Sequence, residues 1–266
     1  MTLTLPEASE SRHQQEGTMA TGVTNTPGTT DSPATKPGPS AAAKRAAPPA
    51  SWAPAAPEAP AAPDFKKAMA PFFNPPRDPV MVDLPELGYF MIDGTGAPDE
   101  GAEYPTTEFQ KSFAALFPVV YTIKFGLKPA GVVVPIMPLE ALWFTNADGS
   151  FDMNVPADKW GWRVLMAVSD DVTPAVFDGA VAEVRRKKGG SDALDRLRLE
   201  RWREGRSAQV MHVGPYAEER PTIERLHAFI AVQGARPRGA HHEIYLGDPR
   251  RADPAKLKTV LRQPVE

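Results

Sequence analysis

A single carboxylate stands within an apolar, aromatic segment near the C-terminus. Residues 241–246 are His-His-Glu-Ile-Tyr-Leu, and an Asp-Pro turn follows them. Burying a charge is costly unless a partner or a reaction uses it, so Glu243 is the leading candidate for chemistry. Glu140 has a similar setting in the earlier segment Pro-Leu-Glu-Ala-Leu-Trp-Phe. Because alternate residues of a strand share a face, the two segments predict one groove that contains both carboxylates and aromatic side chains.

Aromatic walls around a carboxylate favour flat or cationic ligands, through stacking and cation–π attraction. The carboxylate itself can serve as a general base, a general acid or the partner of a cation. Other interpretations stay open beside these. Each tryptophan can equally be a core residue, and Glu140 can pair with an arginine at the surface.

The neighbouring histidines suggest a metal site, but strand geometry argues against it. His241 and His242 point to opposite faces of a strand, so they cannot both bind one ion, even with His212 on another strand. The chain has no cysteine, which excludes thiolate catalysis, thiolate metal ligands and disulfides. It also lacks the Gly-x-Ser-x-Gly element of serine hydrolases, and Gly94-x-Gly96 is too short for a dinucleotide-binding loop. We therefore predict neither a metal nor an organic cofactor.

Composition divides the chain into two parts. Residues 1–63 are rich in Ala, Pro, Thr, Ser and Gly without aliphatic periodicity, which predicts a disordered or polyproline-rich arm. Residues 64–266 are long enough for one domain with a substantial core. The net charge of −3 gives no electrostatic footprint for nucleic acid. With no membrane-spanning apolar run and no secretion signal, we expect a cytoplasmic protein that binds neither nucleic acid nor membranes.

The folded part repeats one order of elements. Each half is predicted to have a strand, a helix and two more strands: 88–92, 106–124, 132–144 and 160–168 in the first, then 208–213, 221–233, 241–247 and 257–265. Helices over 174–188 and 192–203 connect the halves, which span about 80–170 and 205–266. This predicts an α+β fold, a tandem βαββ repeat with pseudo-two-fold symmetry around a central ligand groove.

Several segments resemble those of one family. They are Tyr-Pro-Thr-Thr-Glu-Phe from residue 104, Lys-Trp-Gly-Trp-Arg-Val-Leu-Met from 159, Met-His-Val-Gly-Pro-Tyr from 211 and His-His-Glu-Ile-Tyr-Leu-Gly-Asp-Pro-Arg-Arg from 241. The chain is similar over about residues 66–265 to the GyrI-like small-molecule-binding superfamily, and most closely to its stand-alone branch of cyclopropanoid cyclopropyl hydrolases. The resemblance implies two SH2-like βαββ units around a ligand groove.

The resemblance also implies residues and a reaction. The catalytic glutamate of the hydrolase branch matches Glu243. The aromatic groove positions of the family match Tyr121, Trp143, Trp162 and Tyr245. With Glu140 and His212 from the sequence itself, these are the predicted ligand-binding residues. The implied reaction opens a cyclopropane conjugated to a dienone, as in DNA-alkylating genotoxins. Water attacks the less hindered ring carbon, electrons move to the carbonyl, and the glutamate takes the proton without a cofactor.

Two other functions stay open. A non-catalytic domain that sequesters or senses planar or amphipathic drugs would use the same groove. Gyrase inhibition through protein contacts is a weaker alternative, because no segment marks a protein partner. The enzyme is favoured because a stand-alone domain has no helix-turn-helix to which a binding signal could pass, and residues 1–63 cannot form one.

Overall fold

The computed structural model describes residues 64–98 and 107–266. Within them, the strands are β1 (Val80–Thr95), β2 (Leu139–Phe144), β3 (Gly161–Val168), β4 (Arg198–Val213), β5 (His241–Tyr245) and β6 (Lys258–Pro264). The helices are α1 (Phe65–Phe73), α2 (Glu108–Leu127), α3 (Pro174–Lys188), α4 (Asp192–Arg196) and α5 (Arg220–Val232). The predicted arm, residues 1–63, and residue 106 of the first predicted helix lie outside the described residues.

The strands form a closed antiparallel barrel in the order β1-β3-β2-β5-β6-β4. The predicted mixed α+β class is confirmed, and both halves have the order strand, helix, strand, strand. The halves meet along two strand pairs, β1 with β4 and β2 with β5. Outside the barrel, α2 lies against β1 and β3, whereas α5 lies against β4 and β6. The β2–β5 pair is therefore between the two helix-covered regions.

α2 carries five aromatic residues at intervals of four: Phe109, Phe113, Phe117, Tyr121 and Phe125. A helix turns about 100° per residue, so each interval of four rotates the side chain about 40° around the helix. Phe109 is buried at one end of this series, whereas Tyr121 and Phe125 are 45% and 60% exposed at the other. The helix continues through Pro118, so the series lies on one element.

Three predicted elements differ from the structure. The predicted helix over 192–203 is wrong: α4 ends at Arg196, and β4 begins at Arg198 and pairs with β1. Apolar spacing there resembled a helix, but pairing with a long neighbouring strand outweighs local propensity. The strand predicted over 132–144 begins only at Leu139, because Pro135 and Pro138 lack the N–H that a ladder requires. β1 is longer than the predicted 88–92, since it pairs with both β3 and β4.

The N-terminal helix α1 was not predicted from the sequence. Its carbonyl groups at Pro71 and Phe72 accept hydrogen bonds from Gln209 and Arg262 of the barrel. These contacts anchor the helix to polar side chains that the barrel buries. No helix in the described part of the chain is long and apolar enough to span a membrane.

Candidate functional site

Glu243 lies on the outer face of β5, between two ring-bearing neighbours. Alternation along the strand places His241 and Tyr245 on the same face, and cross-strand pairing sets Ala141 of β2 opposite Glu243. The Tyr245 hydroxyl donates a 2.8 Å hydrogen bond to Oε2 of Glu243. Nε2 of His241 lies 3.5 Å from Oε1. The carboxylate side chain is 16% exposed, so it is largely buried yet reachable.

Tyr245 stays protonated at any ordinary pH. Burial raises the pKa of its hydroxyl well above the usual value, and the Glu243 charge, the hydrogen bond and the nearby carboxylate of Glu219 raise it further. Glu219 is itself buried, where the chain enters α5. The hydroxyl is therefore a constant hydrogen-bond donor to Glu243.

Aromatic rings in contact with one another lead to both strand neighbours of this carboxylate, His241 and Tyr245, and we call the whole arrangement the Glu243 groove. Its rings belong to Phe109, Trp143, Phe151, Trp160, Tyr216 and Tyr245. Tyr216 meets Tyr245 edge-on at 5.6 Å between ring centroids, and Trp143 contacts Phe109 at 4.9 Å and Trp160 at 5.5 Å. These distances are typical of attractive ring pairs, and such walls suit a flat ligand.

The connection between β2 and β3, residues 145–160, covers the Glu243 groove. Phe151 stacks on the His241 ring at 5.7 Å, with the ring planes 21° apart. Met153 packs against the apolar cluster beneath α5, and Arg220 donates a 3.4 Å hydrogen bond to its carbonyl oxygen. Trp160 donates from its indole nitrogen to the Val155 carbonyl at 2.8 Å. The connection thus contacts β5 at His241 and the apolar cluster beneath α5 at Met153.

Glu140 does not belong to this groove. In the β2–β5 register, Glu140 pairs with Ile244, whereas Ala141 pairs with Glu243. The two glutamates therefore point to opposite faces, and Glu140 is buried inside the barrel. The prediction that both carboxylates line one groove is wrong. β2 and β5 hold equivalent places in the order of strands, but their pairing sets Glu140 one residue away from the position opposite Glu243.

Inside the barrel, Glu140 belongs to a buried ionic network. His242 lies between two carboxylates, with Nδ1 2.8 Å from Oε1 of Glu204 and Nε2 3.1 Å from Oε2 of Glu140. Arg262 donates to the other oxygen of Glu204 at 3.0 Å and to the Gln209 side chain. The network thus contains two carboxylates and one guanidinium, and a protonated His242 between the carboxylates balances their charge.

The pKa values in this network follow from burial and neighbouring charge. Burial alone would raise the pKa of Glu204, but the charges of His242 and Arg262 and their hydrogen bonds outweigh it and lower the pKa to about 2. Burial would lower the pKa of His242, yet Glu204 and the hydrogen bond to Glu140 raise it overall. Burial also raises the pKa of Tyr89, and the charges of both carboxylates add to this effect. The network is therefore ionic at neutral pH.

The structure brings Glu243, Tyr245 and Trp143 together on one face of the sheet. Trp162 is the cross-strand partner of Trp143 and lies on the same face, fully buried and edge-on to Phe109 at 5.3 Å. Tyr121 lies on the exposed part of α2 and stacks on Phe125 at 6.0 Å.

His212 is a support for the groove, since it holds the turn that leads to Tyr216. Its Nδ1 lies 3.0 Å from the Thr222 hydroxyl and its Nε2 3.3 Å from the Pro215 carbonyl. Among residues 64–98 and 107–266, no group of three or more His, Asp or Glu is arranged to hold a metal ion.

Sequence reasoning missed Phe151, Tyr216 and Glu219. Phe151 follows a turn, where no periodicity marks which way a side chain points. Tyr216 and Glu219 fall within a segment that carried the family resemblance, and this was the available signal for them.

Comparisons with known proteins agree with the fold. Residues 164–266 match the GyrI-like small molecule binding domain. An uncharacterized conserved protein from Listeria innocua is 37% identical, with a TM-score of 0.68 over 76% of this chain and 98% of that chain. Two Listeria innocua hydrolase structures with the same coverages are 35% and 37% identical, with TM-scores of 0.64 and 0.65. Curated proteins gave no match. The chain belongs to the GyrI-like small-molecule-binding family.

Proposed function

We propose that this protein is a hydrolase that opens the cyclopropane ring of cyclopropanoid genotoxins and so protects the cell from them. The observation that carries the proposal is one largely buried carboxylate, Glu243, held by a tyrosine hydroxyl among aromatic rings. That arrangement combines a base with walls for a flat, electrophilic ligand. The similarity to Listeria innocua hydrolases supports an enzymatic role.

Glu243 acts as the general base in the proposed reaction. The ligand lies between the aromatic rings, with its strained ring directed at the carboxylate. A water oxygen bonds to the less hindered ring carbon as the cyclopropane C–C bond breaks. The electron pair moves to the dienone carbonyl oxygen, which becomes a phenolate, and the water proton goes to Glu243; the phenolate then takes a proton from solvent water to give the phenol. A positioned base typically contributes about 10²- to 10⁴-fold to such a rate.

Tyr245 positions the base. Its hydroxyl occupies Oε2 of Glu243 at 2.8 Å, which leaves Oε1 to receive the proton. The raised pKa of Tyr245 keeps this hydrogen bond in place across the working pH range. The base therefore presents one defined oxygen to the reacting water.

We also propose that the domain spans residues 64–266 and arose by duplication of a βαββ unit. In the first half β3 lies between β1 and β2, and in the second β6 lies between β4 and β5. Pairs of β1 with β4 and β2 with β5 join equivalent strands, as pseudo-two-fold symmetry requires. The Glu243 groove would then lie along the β2–β5 axis between α2 and α5.

A second candidate is a binding module that sequesters drugs without changing them. The family match to a small-molecule-binding domain favours it, and the 145–160 connection could enclose a ligand for either purpose. Both functions need the same aromatic walls, so only the fate of the ligand separates them.

Product analysis tests the proposal directly. The full chain and Glu243→Gln are incubated with a cyclopropanoid electrophile, and the products are identified by mass spectrometry. We expect ring-opened product from the wild type and intact, bound ligand from the variant. Glu224→Gln, an exposed glutamate on α5, is the matched control and should turn over normally.

Two outcomes would contradict this. If the wild type binds the compound but returns it intact, the protein is a binding module. If Glu243→Gln hydrolyses as fast as the wild type, Glu243 is not the base.

A further inference from the structure

We propose that His241 is a second catalytic residue, which holds the attacking water together with Glu243. The inference rests on the proposed hydrolase function and assigns a role within it. His241 precedes Glu243 by two residues on β5, so both side chains lie on the groove face of the strand.

The first observation is a buried ring whose nitrogens have no protein partner. His241 is almost fully buried, and within the described part of the chain neither Nδ1 nor Nε2 has a hydrogen-bond partner. Its approach to Glu243, 3.5 Å from Nε2 to Oε1, is too long for a good direct hydrogen bond. Leaving a buried nitrogen unpaired costs about 1–3 kcal/mol, so such a group is normally satisfied by water or a ligand.

The second observation is that both groups are held in place. Phe151 stacks on the His241 ring, and β5 is paired to β2 along this stretch, with His241 opposite Trp143. Tyr245 holds the far oxygen of the carboxylate, which leaves Oε1 beside Nε2 of His241. A water to one side of the line that joins these two atoms, within hydrogen-bond distance of both, has an acceptor in each of them, and a buried water needs two or more polar partners.

This geometry suits the proposed attack. A neutral His241 with its proton on Nδ1 accepts one hydrogen of the water through Nε2, while Oε1 of Glu243 accepts the other. A lone pair of the water oxygen is then directed at the ring carbon. During attack, the proton next to Glu243 transfers to it, and the other hydrogen stays on the new hydroxyl of the product. His241 thus orients the water and gains no proton.

A protonated His241 cannot accept this hydrogen bond, so activity is expected to fall as His241 becomes protonated. Among the residues that the structure describes, the ionisable groups that face it are Glu243 on its own strand and His227 on α5. Trp143 of β2 and Phe151 of the 145–160 connection face it too, and neither ionises. Burial is the main cause that lowers the pKa of His227, and the charge of His241 lowers it further. Protonation of one ring therefore disfavours protonation of the other.

Two substitutions separate this role from a structural one. His241→Phe keeps a flat ring against Phe151 but removes the acceptor, and His241→Gln keeps an acceptor that does not titrate. We expect the Phe variant to lose roughly 10- to 100-fold in kcat with KM little changed, as for a lost hydrogen bond to a reacting group. The Gln variant should regain part of this loss, and its kcat/KM should fall less steeply on the acid side than that of the wild type, because only the base Glu243 then has to stay unprotonated.

The outcomes are distinguishable from those of the proposed function. If Glu243→Gln is inactive while His241→Phe turns over like the wild type, the role of His241 is overturned and that of Glu243 stands. Equal losses in both His241 variants, with an unchanged pH profile, would show a packing role only and overturn it as well. If His241→Phe does not fold, the rate and pH profile of His241→Gln decide. If the wild type returns the cyclopropanoid intact, the role of His241 falls with the proposed function.

Discussion

Replacing Glu204 by glutamine should destabilise the barrel from inside without touching the Glu243 groove. Glu204 is buried and bonds both His242 and Arg262. A pKa of about 2, against the ordinary 4.5, corresponds to a preference for the charged form of about 3 kcal/mol. Breaking a buried ion pair by neutralising one partner independently suggests about 3–5 kcal/mol, because the other charges stay buried. We expect a loss of that size in the free energy of unfolding.

Urea denaturation at neutral pH measures this loss, and its pH dependence gives a second test. The pKa of Glu204 is depressed in the folded state, so its contribution is present above the ordinary 4.5 and is lost as pH falls towards about 2. The wild type should lose this part of its stability on acidification, and Glu204→Gln should lack that part of the pH dependence.

A surface glutamate provides the control. Glu86 on β1 bonds Arg201 at 2.8 Å, but both side chains are more than half exposed. Such pairs contribute about 0–1 kcal/mol, so Glu86→Gln should be close to the wild type. If Glu204→Gln costs no more than Glu86→Gln, the interior network does not stabilise the fold as reasoned here.

Three further results are expected. The raised pKa of His242 makes its contribution to stability complete below the ordinary value of about 6.5 and lost as pH rises through the raised value, so urea midpoints should fall as pH rises above about 6.5; a flat profile would contradict this. Gly94→Ala places a Cβ against the Trp162 ring, too close for the two to coexist without a shift, and should cost about 1–3 kcal/mol in urea denaturation, whereas an unchanged midpoint would mean that the ring moves freely. Tyr245→Phe should lower kcat about tenfold or more in a product-formation assay, because the base loses the hydrogen bond that positions it; wild-type turnover would remove that role.

Local signals in the sequence predicted the elements that have clear ends. α3 has its predicted limits, since Thr173 accepts a hydrogen bond from the Val176 amide and glycine follows Lys188. β5 and β3 were also found close to their observed limits. The predicted strand 208–213 covers only the C-terminal part of β4. The residues after Arg196 carry charges on both faces, so no apolar alternation marks them as a strand, and it is pairing with β1 that makes them one.

Only the part of the site that lies on β5 could be predicted from the sequence. Alternation correctly grouped Glu243 with Tyr245, but it could not show which face of β5 is outside, because His242 and Ile244 are as buried as His241. The relation of Glu140 to Glu243 depends on a one-residue register across two strands, which no local pattern encodes. Phe151 reaches the groove through a long connection whose path is set by packing against α5.

The ionic network inside the barrel has a consequence for how the chain finds its strand register. Shifting β5 by one residue would turn His242 outward and Glu243 inward, since a strand presents alternate residues to each side. Three carboxylates, those of Glu243, Glu140 and Glu204, would then share the interior with the single guanidinium of Arg262. Their mutual repulsion without water strongly disfavours that alternative. The order of the histidine and the glutamate in this strand therefore selects its alignment during folding, and that alignment places the proposed base in the groove.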